Sequence, residues 1–451
     1  MTTRRSVGAR SAIAVVGLAL VAALAMPAVD ASGAAVTGTT RAGTITGTSA
    51  VTHNPKGKLL GAIPSRPAEP KPAAGATTQA ATPHVVGPVT YHNGPVQHGS
   101  SVYAIFWVPS GYPYPPGYAA VVAQFFGDLG HDSFTAGNPY GSDTQYYDKV
   151  GTTKRWVSYA VAFRGTVVDK RPFPANGCPN YLLNDGTMSQ KCLIDSQIIA
   201  MINSVITSHH FPKNMNTQYF LFTPYSVASC FTANGLTQGR CYDPLNYNGY
   251  CAYHSFTGTG SQLFLYAAMH YADINGCSSG QSPQGNPADS VINGISHEHQ
   301  ETITDPIGTG WYDSTGNEIA DKCLFTFGTP LGTNGFGQYN QVINTHQYWL
   351  QEIWSNRDDA CVQRNTHPQP TASFTYSPTS PAVGTVVSFH STSHSGDGTA
   401  LTYRWVWPNG TSSTAANPKY TFGTTGPKNV TLIVADTHGD QTRAVRTITV
   451  H

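Results

Sequence analysis

Charged side chains are scarce in this chain: Lys, Arg, Asp and Glu make up 11% of its 451 residues, and the formal net charge is +1. A chain without an excess of either sign lacks the broad electrostatic surface that attracts nucleic acid or an anionic membrane. We therefore expect no nucleic acid among its partners. The composition is instead rich in Gly, Pro and Tyr, which favours an exported protein over a cytosolic one.

Some common functional motifs are missing as well. The sequence contains no glycine-rich phosphate loop and no CxxC pair among its eight cysteines, and no GxSxG elbow surrounds Ser296. These observations argue against nucleotide binding, against a zinc site made of thiolates and against a serine hydrolase built on Ser296.

Residues 1–31 have the pattern of an export signal. A basic stretch ends at Arg10, the uncharged apolar run Ala12–Met26 follows, and Val29–Ala31 offers small residues for cleavage, with Ser32–Ala34 as a second candidate. The run is too short for an ordinary membrane span, so an uncleaved anchor is the less favoured alternative. We expect a secreted, extracellular protein without a membrane span once the signal is removed.

The cysteines predict disulfides, because their number is even and the chain is predicted to be exported. Sequence alone does not determine their connectivity, and pairing of neighbours is the simplest hypothesis. It joins Cys178 to Cys192, Cys230 to Cys241, Cys251 to Cys277, and Cys323 to Cys361.

The remainder of the chain divides into three parts. Residues 35–83 have few large apolar side chains to offset chain entropy, which predicts a disordered linker or a propeptide. In residues 84–365 short apolar runs alternate with helical patterns, which predicts a disulfide-containing α/β domain with helices packed on a sheet. Residues 369–451 contain short β-rich runs between turns, which predicts an all-β Ig-like sandwich of about seven strands.

The C-terminal part resembles a PKD domain. The residues that carry the resemblance are Tyr403-Arg404-Trp405, Pro408-Asn409-Gly410, Tyr420, Gly426, Asn429–Asp436 and Gly439. Family members usually have Gly-Asp-Gly where this chain has Pro-Asn-Gly. The resemblance implies a spacer or binding module of secreted proteins, with an extracellular protein or polysaccharide as partner, and no catalytic role.

A helix is predicted from Asn286 to about Thr304. Asn286 can cap it, and Pro306 ends it. One apolar stripe faces the core and consists of Ala288, Val291, Ile292, Ile295 and Ile303. The opposite side carries His297 and Glu301, together with small residues that leave room for another element.

His297 and Glu301 are four positions apart, so on a helix they project from one face and can bind one ion. Glu298 is placed to act as a general base. The segment resembles the HExxH helix of zincin metallopeptidases, with Glu301 in place of the second histidine. In zincins of the glutamate type the third ligand is a Glu on the next helix, which makes Glu318 the first candidate and Asp321 the second.

The resemblance implies a secreted metal-dependent hydrolase, most readily a peptidase. An added carboxylate ligand makes Ca²⁺ or Mn²⁺ more competitive with Zn²⁺, so a divalent metal is expected without a fixed identity. His254 is an auxiliary candidate as a transition-state donor or outer ligand, and Asp305 is a further candidate ligand. His299 is predicted to pack in the core.

Two alternatives remain open. The polar face of the helix can simply meet solvent, as in ordinary amphipathic helices, or the acidic cluster can hold a structural Ca²⁺.

The first domain also resembles the EXORDIUM-like, phosphate-induced proteins of plant cell walls and their bacterial relatives. The matching residues are Tyr91–Val96, Val102–Val108 with the helix that follows, Cys251–Ser255 and, among bacterial relatives, a segment like His297–Pro306. The resemblance implies an extracellular protein of the cell surface without established chemistry. The alternative function is therefore a non-catalytic surface or polysaccharide-binding protein, in which the aromatic loop Trp107–Tyr118 would stack on sugar rings.

Overall fold

The structure is a computed structural model that describes residues 61–66, 87–238, 240–243 and 249–451. The predicted export signal, residues 1–31, and most of the segment 35–83 lie outside the described residues. Within the described ranges, no helix has the length and hydropathy to cross a bilayer.

Among the described residues, the first domain contains three α-helices, which are α1 (Tyr118–His131), α2 (Asp195–His209) and α3 (Ala288–Thr304). The longer strands of this domain are β3 (Ser100–Trp107), β6 (Val161–Asp169), β8 (Thr217–Phe222), β10 (Tyr250–Thr257) and β11 (Phe264–Met269). Its shorter strands are β1 (Ile63–Pro64), β2 (Thr90–Tyr91), β4 (Tyr147–Val150), β5 (Thr153–Trp156), β7 (Lys191–Ile194), β9 (Val227–Cys230), β12 (Trp311–Tyr312), β13 (Gly332–Thr333), β14 (Gln338–Tyr339), β15 (Gln341–Ile343), β16 (His346–Tyr348), β17 (Ile353–Ser355) and β18 (Ala360–Val362). Short 3₁₀ turns span Pro139–Gln145, Gly235–Gln238, Gly260–Gln262 and Asp321–Cys323.

A six-stranded mixed sheet lies at the centre of this domain, in the order β1-β10-β11-β8-β3-β6. The four strands from β11 to β6 run parallel to their neighbours, whereas β10 and β1 are antiparallel additions at one edge. Every residue of β8 and β11 is buried, as expected for strands covered on both faces. Helices α1 and α3 pack on each other and on the sheet, and α2 packs on β8. The predicted α/β class is confirmed.

The structure differs from the expected elements in places. The run Trp156–Phe163, whose residue pattern predicts a single strand, is divided between β5 and β6, because residues 157–160 lie in neither strand. A second difference concerns the segment 35–83, whose residues Gly61–Arg66 are not a linker, since β1 pairs with β10 and the side chain of Ile63 is buried. Ile63 is one of the few large apolar side chains of that segment, and it finds its partners in the distant sheet.

All four predicted disulfides are present, joining Cys178–Cys192, Cys230–Cys241, Cys251–Cys277 and Cys323–Cys361. Pairing of neighbours succeeds because each bridge closes a loop of 38 residues or fewer within one region of the chain.

The second domain is the predicted sandwich of seven strands. They are β19 (Phe374–Ser377), β20 (Val386–Ser391), β21 (Thr402–Val406), β22 (Ser412–Ser413), β23 (Lys419–Thr421), β24 (Gly426–Ala435) and β25 (Gln441–Val450). They form two sheets, β19-β20-β23 and β22-β21-β24-β25, with Trp405 fully buried between them. Asp440 attaches this domain to the first one through Arg357 Nη1 at 2.6 Å and through the amide of Asn365.

Candidate metal centre

Helix α3 is buried along its entire length, including its polar side. Gly294 makes this burial sterically feasible. A Cβ at that position would lie 3.2 Å from Met269 Cε and 3.5 Å from Ile63 Cδ1, so the helix packs closely on these side chains and even an alanine would require Met269 to shift slightly. The alternative in which the polar face meets solvent is therefore wrong. His297, Glu298 and Glu301 face protein on every side.

A glycine-rich turn after α3 brings the downstream carboxylates back to the helix. Asp305 Oδ1 accepts the backbone N–H of Gly310 at 2.6 Å, and Asp313 Oδ1 accepts the N–H groups of Thr315 and Asn317. The backbone N–H of Asp321 then donates to Glu301 Oε1 at 2.8 Å, which holds the returning chain against the helix.

One group of possible metal ligands consists of His297, Glu301 and Asp321. His297 Nε2 lies 3.2 Å from Glu301 Oε1 and 3.7 Å from Asp321 Oδ1. One ligand atom from each residue lies within 4.8 Å of the others. Neither nitrogen of His297 makes a hydrogen bond of good geometry, although the ring is completely buried and Nε2 lies close to Glu301. Buried imidazoles normally find partners, so this one is available to a cation.

A second group adjoins the first and consists of His254, Glu301 and Glu318. His254 Nε2 lies 3.7 Å from Glu318 Oε1, and its Nδ1 lies 3.8 Å from Glu301 Oε2. His254 Nε2 and Glu318 Oε1 are both buried without a hydrogen bond. Glu301 therefore belongs to both groups and presents a different oxygen to each.

The grouping changes the predicted ligand assignment. Glu318, the first choice as partner of His297, lies with His254, and the second choice Asp321 lies with His297. In zincins of the glutamate type this ligand stands on a helix, and a helical turn over residues 317–321 would place both carboxylates on one face. The structure has only the 3₁₀ turn Asp321–Cys323 there, so the two side chains reach different groups.

His254 is more central than its predicted auxiliary role. It lies on β10, the strand on which α3 packs, so its side chain reaches the polar face of the helix. The sequence offered one weak signal, an imidazole inside an apolar strand. Its ligand neighbours are 44 or more positions away and could not be assigned from spacing.

Glu298 lies beside the second group. Its Oε2 lies 3.1 Å from His254 Nδ1, and its Oε1 has no hydrogen-bond partner. This free oxygen leaves the carboxylate able to accept a proton.

Asp305, a predicted auxiliary ligand, is in neither group and instead closes the turn at Gly310. Burial raises its pKa to about 7. His299 has the predicted packing role, with Nε2 at 2.8 Å from Ser100 Oγ and Nδ1 at 3.2 Å from Tyr140 OH.

The electrostatics of the centre favour cations. Burial, followed by the charge of Glu301, raises the pKa of both Glu298 and Glu318 well above the usual range. Burial lowers the pKa of His254 to about 3, which keeps this imidazole neutral and able to bind metal. Burial also lowers the pKa of His297, but the nearby carboxylates outweigh it and the pKa is raised overall.

Comparisons with known proteins give weak similarity over much of the chain and a clearer match for the C-terminal domain alone. Protein EXORDIUM-like 3 of Arabidopsis thaliana is 25% identical over 200 residues, which cover 39% of this chain and 58% of that protein. The chain thus spans less than two thirds of that relative. Wild-type OgpA of Akkermansia muciniphila aligns over 83% of this chain and 97% of its own, at 11% identity and a TM-score of 0.23, which is too low to establish a shared fold.

The C-terminal domain has a clearer match. The family model described as PKD domain matches residues 367–450. The PKD1 domain of the Vibrio cholerae metalloprotease PrtV is 34% identical, over 18% of this chain and 96% of its own, with a TM-score of 0.17. The matched range coincides with the seven-stranded sandwich around Trp405. Residues 367–450 of this chain therefore form a PKD domain.

Proposed function

We propose that this protein is an exported metal-dependent hydrolase that acts on peptides. The observation that carries the proposal is the pair of ligand groups that meet at Glu301, each with one buried imidazole and two carboxylates. The disulfides and the PKD domain, which are typical of extracellular proteins, support export.

Imidazole nitrogens combined with carboxylate oxygens are ligands that Zn²⁺ accepts readily, whereas Ca²⁺ takes oxygen ligands. Because each group includes a histidine, Zn²⁺ or a similar transition metal fits better than Ca²⁺. Two dications at the two groups would match the four negative charges of Glu298, Glu301, Glu318 and Asp321 when ionised. Buried charges without compensation cost several kcal/mol each.

Such a cation supplies a water molecule of lowered pKa and polarises a substrate carbonyl. Glu298 would serve as the general base, because its carboxylate adjoins the ligands and its Oε1 is free to accept a proton. His254 holds the other oxygen of Glu298 at 3.1 Å and so orients it. Glu298 is the proposed catalytic residue, and His254, His297, Glu301, Glu318 and Asp321 are the proposed ligands.

Two rings of the aromatic loop give no support to a polysaccharide ligand. Trp107 and Tyr118 are 3% and 1% exposed, and their rings pack on Phe173 and Tyr114. These two rings are therefore not available to stack on sugars, which weakens the polysaccharide-binding alternative.

Metal analysis of the purified protein, combined with a broad protease assay, tests the proposal. We expect bound Zn²⁺ or Mn²⁺ that survives gel filtration, and peptide hydrolysis that a chelator removes and the metal restores. A protein that takes up no divalent cation at micromolar concentrations overturns the proposal. Retention on glycans that persists after removal of every ligand carboxylate favours the polysaccharide-binding alternative.

A further inference from the structure

The outer edge of β10 is occupied by a segment from far upstream in the chain. Ile63 pairs with Ala252 and Pro64 with Tyr250, in antiparallel orientation. The backbone N–H of Ser65 donates to the carbonyl of Gly249 at 2.8 Å. Residues 61–66 thus run along the sheet edge beside the metal centre, as an added peptide strand does in β-strand addition.

Gly61 places the backbone of this segment directly over the proposed ligands. Its N–H donates to Glu318 Oε2 at 2.9 Å. A Cβ at this position would lie 1.7 Å from His254 Nδ1 and 2.7 Å from Glu298 Oε2, and φ is +47°. Only glycine fits here, because any side chain would collide with groups of the centre.

Two further contacts hold the segment in place. The side chain of Ile63 is 2% exposed and lines a small cavity with Ala252 and Met269. The guanidinium of Arg66 lies 4.2 Å above the ring of Phe325 and donates to the carbonyl of Ser278. The side chains of Ile63 and Arg66 therefore hold the segment in place, and their contacts do not involve the proposed ligands.

The segment also closes the centre. The side chains of His254 and Glu298 are 0% exposed, and that of Glu318 is 1% exposed. A hydrolase needs an open path from solvent to its metal and base. Since Gly61 contacts all three residues, it lies where a substrate backbone would have to lie.

We propose that residues 61–66 occupy the substrate cleft as an intramolecular ligand, and that the cleft takes an extended peptide once they leave it. This inference rests on the proposed function. It assigns the substrate class as an extended peptide that adds to the edge of β10. In that substrate peptide, by analogy with Gly61 and Ile63, the residue over His254 is expected to be glycine and the residue two positions later a branched aliphatic. Departure of the segment removes a two-residue edge strand and leaves the five other strands of the sheet paired.

Two variants of the full chain release the segment by different means. Ile63→Asp places a carboxylate in the apolar cavity, and Gly61→Val creates the collision over His254. Val168→Asp is the matched control, because Val168 is 54% exposed on β6 at the opposite edge of the same sheet. For each protein loaded with Zn²⁺, two rates are measured: removal of Zn²⁺ by a chelator, and hydrolysis of a fluorogenic library of glycine-containing peptides.

We expect both release variants to lose Zn²⁺ at least about tenfold faster than the unmodified chain and the control, and to hydrolyse peptides faster by a similar factor. The reason is that residues 61–66 no longer cover the centre most of the time. A synthetic peptide of residues 59–66 should reverse both effects in Ile63→Asp. The same peptide with valine in place of Gly61 should not.

The outcomes separate the two claims. Faster metal removal that the peptide reverses, without hydrolysis by any variant, supports the cleft and rejects the hydrolase. Equal rates of metal removal and hydrolysis in all four proteins overturn the cleft and leave the hydrolase standing. A peptide that fails to bind either release variant also overturns the cleft.

Discussion

The backbone N–H of Gly61 donates a hydrogen bond to the carboxylate of Glu318 at 2.9 Å, although 257 positions separate the two residues. This contact joins the first described segment of the chain to the turn that follows α3. The candidate centre is therefore assembled from four parts of the sequence: the segment at Gly61, strand β10, helix α3 and residues 318–321. Its predicted properties follow from that arrangement.

Glu298→Gln should remove hydrolysis while the metal remains. The amide oxygen of Gln can still face His254, but the side chain no longer accepts a proton. General base catalysis contributes about 10²–10⁴-fold to rate, and we expect a loss of that size in kcat. Steady-state kinetics and metal analysis of the same preparation check the prediction.

Glu352→Gln is the control for this variant. Burial raises the pKa of Glu352 to about 7, but this carboxylate lies next to Gly328 and outside both ligand groups. The kcat of the Glu352→Gln variant should equal that of the unmodified protein. Equal kcat for Glu298→Gln and the unmodified protein contradicts the assigned role of Glu298.

Metal stoichiometry should reveal the two ligand groups. His297→Ala removes an imidazole from one group only and His254→Ala from the other only, so each variant should lose one of two ions. Glu301→Gln should weaken the binding of both ions, because Glu301 contributes an oxygen to each group. Elemental analysis against protein concentration measures the ratio.

His299→Gln serves as the comparison, because His299 is on the same helix but is held by Ser100 and Tyr140. Its metal content should equal that of the unmodified protein. If the unmodified protein binds only one equivalent of metal, the centre holds one ion and the two-ion prediction is wrong.

Asp305 should contribute a loss of stability to the metal-free protein as pH rises from about 4 to 7, opposite in sign to the contribution of the buried His254. Burial raises the pKa of Asp305 to about 7, whereas an unfolded Asp titrates near 4. The native state holds this proton more tightly, so its contribution is fully present below about pH 4 and is lost as pH rises through 7. The expected slope is about 1.4 kcal/mol of unfolding free energy per pH unit for this group.

Urea unfolding in the presence of a chelator, at several pH values, measures this slope. Asp305→Asn should reduce this slope by the contribution of one proton, about 1.4 kcal/mol per pH unit. Burial also raises the pKa of Glu298 and Glu318, which adds to the slope in the same direction. Equal slopes in Asp305→Asn and in the unmodified metal-free protein contradict the prediction.

The disulfide Cys323–Cys361 should stabilise the metal centre in addition to the fold. It closes a loop of 38 residues, and the chain-entropy relation assigns about 4 kcal/mol to a loop of that length. Because Cys323 follows Asp321 by two positions, replacing both cysteines with serine should also weaken metal binding. Calorimetric titration and thermal unfolding measure the two effects.

The disulfide Cys178–Cys192 provides the comparison. Its loop of 14 residues corresponds to about 3 kcal/mol by the same relation, and its cysteines lie beside α2, away from the ligands. Serine replacements there should lower stability and leave metal affinity unchanged. Equal metal affinity in both double variants would show that the Cys323–Cys361 bridge does not position Asp321.

Local pattern was sufficient for the elements and for much of their chemistry. Apolar periodicity located α3, the even cysteine count with neighbour pairing reproduced the four disulfides, and turn spacing predicted the sandwich. Each of these features depends on residues that are close together in the sequence. The acidic and histidine residues around His297 were singled out for the same reason, because the spacing of His297 and Glu301 places them on one helical face.

The composition of the site was decided by tertiary structure. Whether His297 meets Glu318 or Asp321 depends on the path of the turn after α3, and the position of His254 depends on β10 packing under that helix. Composition predicts a linker or propeptide around Ile63, because the segment 35–83 has few large apolar side chains. The stability of strand β1 comes from an edge nearly 190 positions away, Ala252 opposite Ile63. Sequence determined which side chains can bind a cation; long-range packing decided which of them meet, because burial and strand pairing join residues without regard to their separation along the chain.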